Sequence, residues 1–427
     1  MARSFIQRVH TVSLACVAGI ALLFAPAMSA GAGDWPRFRG ADGQGVSGDK
    51  GLPVSWGEAR GTAWKTDLPG PGASSPIVIG KRVYVTCYSG YAVPEQDRGE
   101  MEHLKRHIVC LDLDGKVLWQ KQAPPVLPDS PRVREHGYAA STPVADAERV
   151  YVFFGKSGVI AMDHQGRQLW HASVGDKVSG WGSAASPILC GDLLIVNASV
   201  ESGSLVALDK RTGREKWRSG GIKESWNTPI LVPLGGGKTE LVLAIMGKVL
   251  GFDPAKGQQL WSCDTDIGWY MCPSLVAHEG VVYCIGGRGT GGALAVRAGG
   301  RGDVTADRRL WTLRKGSNVP SPIYHDGHLY WVHESGTACC ADAKTGHLVY
   351  EEKLPQAAQV YASPVLADGR IYILSRWGRC WVIPAKPAFE VLATSELGRV
   401  GMVNASPAVA GGRLYIRTDN SLFCMGK

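Results

Sequence analysis

The side chains best suited to chemistry in this 427-residue chain fall into two sets, both tied to a recurring Ser/Thr-Pro signature. Just ahead of successive copies stand His136 and Tyr138, Trp181, Trp226 with Asn227, Trp269 with Tyr270, Asn318, Tyr361 and Asn404. Lys156, Lys248, Arg288, His333, Glu334, Arg376, Arg379 and Arg417 follow aromatic and β-branched runs. Aromatic plates, amides and cationic heads brought together suit a planar anion, a sugar or an extended peptide. Hydrolysis is disfavoured: there is no Gly-x-Ser-x-Gly, and Ser, His and Asp lack a spacing that fixes a triad. His103 and His107 are four apart near Glu102, but no second cluster supports a metal, and Leu104, Lys105 and Arg106 read as a short charged cover. No catalytic residue and no metal ligand is expected.

The elements that must position these residues come from a repeat. A small residue, Ser/Thr-Pro and an apolar pair recur as SSPIV, STPVA, ASPIL, NTPIL, CPSLV, PSPIY, ASPVL and ASPAV. The prolines, Pro76, Pro143, Pro187, Pro229, Pro273, Pro322, Pro364 and Pro407, are 67, 44, 42, 44, 49, 42 and 43 residues apart. Six of the seven intervals match a four-stranded propeller blade, ~40 to 50 residues. A second strand follows each start, as in RVYVTCY and RIYILSR. A third ends in an Asp turn, and a fourth reaches an aromatic, as in Asp209, Gly213 and Trp217. The Asp side chain bonds the turn backbone and Gly supplies positive φ, so both are structural. Trp64, Trp119, Trp170, Trp217, Trp261 and Trp311 hold the fourth-strand position and belong to the core. Trp181, Trp226 and Trp269 do not, which makes them the better ligand contacts.

The last unit stops after three strands, and the segment around Trp64 supplies the fourth. The expected fold is therefore all-β: an eight-bladed β-propeller of four-stranded antiparallel blades, closed by an N-terminal strand completing the last blade. In that ring the fourth-to-first and second-to-third turns share one face, so the two residue sets converge on a central funnel. The 67-residue interval holds a blade-one insertion, 91–106, and a long segment before Pro143.

The Ala-x-Asp-x-x-x-Gly-x-x-x-Trp spacing with terminal closure resembles the tryptophan-docking repeat of pyrroloquinoline quinone (PQQ) dehydrogenases, and equally that of the non-enzymatic outer-membrane assembly factor BamB. DWPRFRG, KGLPVSW, HGYAASTP, GWGSAASP and ESWNTP resemble the exported bacterial PQQ-like propeller family over roughly residues 34 to 427. The resemblance implies either of two roles: a non-catalytic binding or scaffold propeller without a cofactor, or a PQQ- and calcium-dependent dehydrogenase of alcohols or sugars. The second would need a carboxylate pair with an amide around calcium, and Glu334 stands alone. Cys339-Cys340 resembles the adjacent-cysteine disulfide of PQQ alcohol dehydrogenases, but the pair lies mid-strand, where neighbours point to opposite faces, which departs from that arrangement. The binding role is therefore expected, with a protein, peptide or saccharide as partner.

Arg3 and Arg8 precede a fourteen-residue apolar stretch and Ala-x-Ala sites, the pattern of a signal peptide. Residues 1–32 are read as that signal, 33–63 as an extension packing on the propeller, and 64–427 as the propeller. The mature chain is expected to be exported, periplasmic or secreted, monomeric and without a transmembrane span. Net charge of +8 is spread along the chain, which argues against nucleic acid. Ten cysteines lie beyond the signal; buried free thiols are expected, with a Cys263–Cys272 bridge as the alternative.

Overall fold

A computed structural model describes residues 1, 33–57, 61–134, 136–289 and 291–426; the signal-peptide reading lies outside them. Eight antiparallel sheets stand around a common centre. Blade one shows the plan: Ile77–Ile79 innermost, then Arg82–Ser89, Lys105–Leu111 and Val117–Ala123 outermost. Alternate side chains of the middle strands enter clusters shared by neighbouring blades; Val85 and Val109, for example, pack with Val409 and Leu422 of blade eight. Among the described residues no helix is long and apolar enough to cross a membrane.

Ring closure follows the expected route. Thr62–Asp67 pairs antiparallel with Ser421–Met425, with Trp64 opposite Cys424 and Asp67 opposite Ser421. An edge that would otherwise be open at each chain end is thereby used up.

Two further rings hold the blades together. The outer one is made by the tryptophans. Trp64, Trp119, Trp170, Trp217 and Trp311 each donate the indole N–H to a carbonyl in the next blade's third-to-fourth turn: Leu113, His164, Lys210, Pro254 and Ala343, at 2.7 to 3.1 Å. The turn glycine of that next blade lies on the indole. At Gly213 (φ +73°) an added Cβ would fall 2.7 Å from the Trp170 ring. Glycine is therefore needed twice over, for its dihedral and for the close approach. Trp261 departs from this. The next blade replaces the Asp-Gly turn with an insertion carrying Gly302–Asp303 and Thr305–Arg308, and Trp261 bonds Glu240 Oε2 instead at 2.7 Å.

The inner ring consists of hydroxyls. The backbone N–H of Ser75 donates to Thr142 Oγ1, and that of Thr142 to Ser186 Oγ. The series continues through Thr228, Ser274, Ser321, Ser363 and Ser406, whose N–H returns to Ser75 Oγ. All eight links are 2.9 to 3.1 Å. In the fifth unit Ser follows Pro273 instead of preceding a proline, so the hydroxyl, not the ring of proline, keeps the register.

Innermost strands leave a free edge toward the channel, and the segment before the first blade fills it. Trp35 pairs with Val78, Ala145 N donates to Pro36 O, and Leu366 N donates to Gly45 O. Val46–Ser47 adds a parallel strand to Val365–Ala367. Arg39 is fully buried in a cage of carbonyls, those of Gly43, Gln44, Ser321 and Pro322. Burial lowers its pKa to about 9, partly countered by Asp42.

Candidate functional site

The two inner features define the floor of a cavity of about 310 Å³. All eight ring hydroxyls line it, and Phe38 from the channel-filling segment closes it below. The channel is therefore a blind well. Each hydroxyl accepts one N–H and keeps its own hydrogen, so the floor is a circle of donors around an aromatic ring.

One wall is aromatic. Tyr270 is its hub, with ring centroids 5.4 Å from Trp181, 5.4 Å from Trp226 and 5.1 Å from Trp269. The Trp226 indole N–H donates to Gly182 O at 2.8 Å, fixing the plate. Arg134 stacks over Trp181 at 4.6 Å and Arg288 over Trp269 at 5.8 Å; both arginines are exposed at the mouth. The facing wall is polar, with Asn318, Glu334, Gln359, Tyr361 and Asn404. Glu334 Oε2 accepts the Asn318 N–H at 3.0 Å and lies 3.3 Å from His333 Nε2. The Asn318 Oδ1 atom is buried without a hydrogen-bond partner among the described residues.

Of the residues expected in the funnel, His136, Trp181, Trp226, Tyr270, Arg288, Asn318, Glu334, Tyr361 and Asn404 line the cavity. The other nine are placed elsewhere, with His333 bonded to Ser335 Oγ and Gly289 O and Arg379 paired with Glu396. Tyr138 is buried against Tyr88 and Tyr91 and donates its hydroxyl to Ser130 O. Asn227 is wholly buried and braces the blade, donating to Ser225 Oγ and Ala244 O. Trp269 stands behind Tyr270 as its outer support. Arg376 is held by Asn404 Oδ1 and Gln359 Oε1 and lies 4.4 Å over Tyr361, orienting the wall from behind. Lys156 donates to Pro128 O, and Lys248 pairs with Asp264. A tight turn at Met246 and Gly247 keeps Lys248 in the ladder, whereas the longer turn after Gly286 frees Arg288 to lean inward.

Further expectations are corrected or decided. The segment 104–106 is no cover: Lys105 and Arg106 open a strand, and Arg106 is buried and bonded to Asp129. His107 lies in the same strand, bonded to Ser89 Oγ at 2.7 Å. Cys263 and Cys272 are both free thiols, as are Cys339 and Cys340. Arg417 does not reach the mouth; it is fully buried between blades eight and one, bonded to Ser74.

Sequence reasoning missed Arg134, Gln359, Phe38 and the ring hydroxyls as lining. Arg134 and Gln359 each lie two residues before a named aromatic or histidine, which was the available signal. Outside the cavity, Glu201 is buried against Ser183 Oγ, and burial raises its carboxyl to about 7.

The family described as outer membrane protein assembly factor BamB matches residues 41–177, 101–221 and 245–390. Among solved structures the chain is similar to BamB from Moraxella catarrhalis, with TM-score 0.61 and 14% identity over 86% of this chain and 97% of that one. It is similar to a europium-containing methanol dehydrogenase, with TM-score 0.64 and 12% identity over 92% and 98%. It is also similar to the quinohemoprotein alcohol dehydrogenase from Comamonas testosteroni, with TM-score 0.65 and 12% identity over 94% and 82%. At such identities the likeness is one of fold. No curated protein sequence matches the chain significantly.

Proposed function

The chain belongs to the PQQ-repeat propeller family described as outer membrane protein assembly factor BamB, and on that premise we propose that it is an exported, non-catalytic binding propeller. A ligand, or an extended segment of a partner protein, enters the blind well. The observation that carries this reading is the division of the well into an aromatic wall and an amide wall over a floor of hydroxyls. Such a site supplies apolar contact and directional bonds to a ligand.

The other reading, a PQQ- and calcium-dependent dehydrogenase, asks the well for a cation held by several oxygens, carboxylates among them. Glu334 is the carboxylate on its wall, and one of its oxygens already accepts the Asn318 amide. Among the described residues no group of three or more His, Cys, Asp and Glu is placed to hold a metal. The donor set does not fit the quinone–calcium pair.

Titrating the protein with PQQ and Ca²⁺ while following quinone absorbance and dye reduction by alcohols and sugars tests the choice. No turnover is expected; saturable binding with turnover overturns the proposal. Trp181→Ala combined with Trp226→Ala is expected to weaken any ligand of the well at least tenfold, about 1.4 kcal/mol, with the circular dichroism spectrum unchanged. Loss of the fold in that variant would make both rings blade wedges.

A further inference from the structure

Resting on that reading of the well, we infer that its ligand is a short acidic saccharide, a pyranoside carrying a carboxylate or sulfate. Three features of the well each ask for a different part of such a molecule. The wall of Trp181, Trp226 and Tyr270 offers flat apolar faces of the kind that cover the C–H face of a sugar ring. The floor and the opposite wall ask for many hydroxyls. Eight Ser and Thr hydroxyls each retain a hydrogen after accepting an amide, and the Asn318 Oδ1 atom is buried without a partner among the described residues. A planar aromatic anion would satisfy the plates and leave these polar groups unanswered, at a cost for each buried one.

The charge is at the mouth. Arg134 and Arg288 both line the cavity, are exposed, and are held in place by the indole faces of Trp181 and Trp269. Among the described residues neither has a carboxylate in salt-bridge range. Guanidinium groups oriented in this way bind carboxylate or sulfate by paired, charge-assisted hydrogen bonds. Glu334 on the far wall is turned to the Asn318 amide and to His333, so the basic side of the mouth remains available to an anion. A cavity of about 310 Å³ is at the small end of ligand pockets, which suits one or two sugar rings.

Calorimetry on the intact mature protein tests this with digalacturonate, its neutral dimethyl ester, a galactobiose sulfate, and PQQ. Digalacturonate or the sulfate is expected to saturate, with the ester at least tenfold weaker. Whichever acid binds more tightly identifies the anion. Arg134→Gln with Arg288→Gln is expected to remove the preference for the acid over the ester while leaving the melting temperature unchanged. Equal binding of acid and ester overturns the inference. So does failure of every saccharide while PQQ or a peptide occupies the well, an outcome that leaves the binding role standing. Failure of all probes, with Trp181→Ala and Trp226→Ala leaving capture of a partner unaltered, removes the binding role itself.

Discussion

Replacing Ser186 with alanine removes one acceptor from the inner ring and nothing else of bulk. The backbone N–H of Thr142, which donates to Ser186 Oγ at 3.0 Å, is then left in a buried position without its partner. The Ser186 N–H keeps its own bond to Thr228 Oγ1 at 3.1 Å. Losing the net value of one hydrogen bond and stranding a buried donor costs about 2 kcal/mol. Ser186→Thr is the control, because Thr already serves at 142 and 228 with the same geometry; it is expected to change stability by less than about 0.5 kcal/mol. Backbone amides, not hydroxyls, donate the links, so no proton must flip around the circle and the loss stays local. Amide hydrogen exchange reads it directly: in Ser186→Ala the Thr142 amide should exchange about 30-fold faster, which is what 2 kcal/mol amounts to at ~1.4 kcal/mol per tenfold. Ser274 and Ser363, elsewhere in the ring, should keep their rates. An unchanged Thr142 amide, or an equal loss in Ser186→Thr, refutes the hydroxyl ring as a source of stability.

Other outcomes follow from the same physics. Glu201→Gln keeps the acceptor for Ser183 but removes a carboxyl whose folded-state pKa is raised by burial from 4.5 to about 7. The native carboxyl stays protonated while the unfolded one ionises, so the wild type loses stability as pH rises through that window and regains it below. The variant should be more stable by up to about 3 kcal/mol at pH 8 and indistinguishable at pH 4 in urea titrations; a gain at both pH values refutes the assignment. Gly213→Ala and Gly327→Ala share φ of +73°, but only the first meets an indole, while the second faces open space. The first should cost about 2 kcal/mol more than the second, measured by urea midpoint, and equal costs would remove the indole contact from the account.

How much of the site was legible depended on where each side chain had to point. Trp181, Trp226, Tyr270, Asn318 and Asn404 sit immediately ahead of a first strand, where the repeat fixes both position and direction, and they reach the well. Lys248 and Arg288 occupy comparable places after a second strand, yet only Arg288 arrives, because turn length decides whether a residue remains in the ladder. Asn227 adjoins Trp226 in sequence, but neighbours in an extended segment face opposite ways, so one is a plate and the other a brace.

Sequence by itself determined the architecture. Eight blade-length repeats, a fourth-strand aromatic and a last unit short of one strand admit one arrangement, because each unit buries its faces only against neighbours and only closure removes the two ends. Tertiary structure decided the rest. That the Ser and Thr of the signature form one continuous circle, that Phe38 turns a channel into a well, and that Arg134 lies on Trp181 all depend on residues far apart in the chain meeting at one axis. Local pattern carries strand period and turn chemistry; it carries no information about which distant groups share the centre, since that is set by the angle through which each blade is packed on the last.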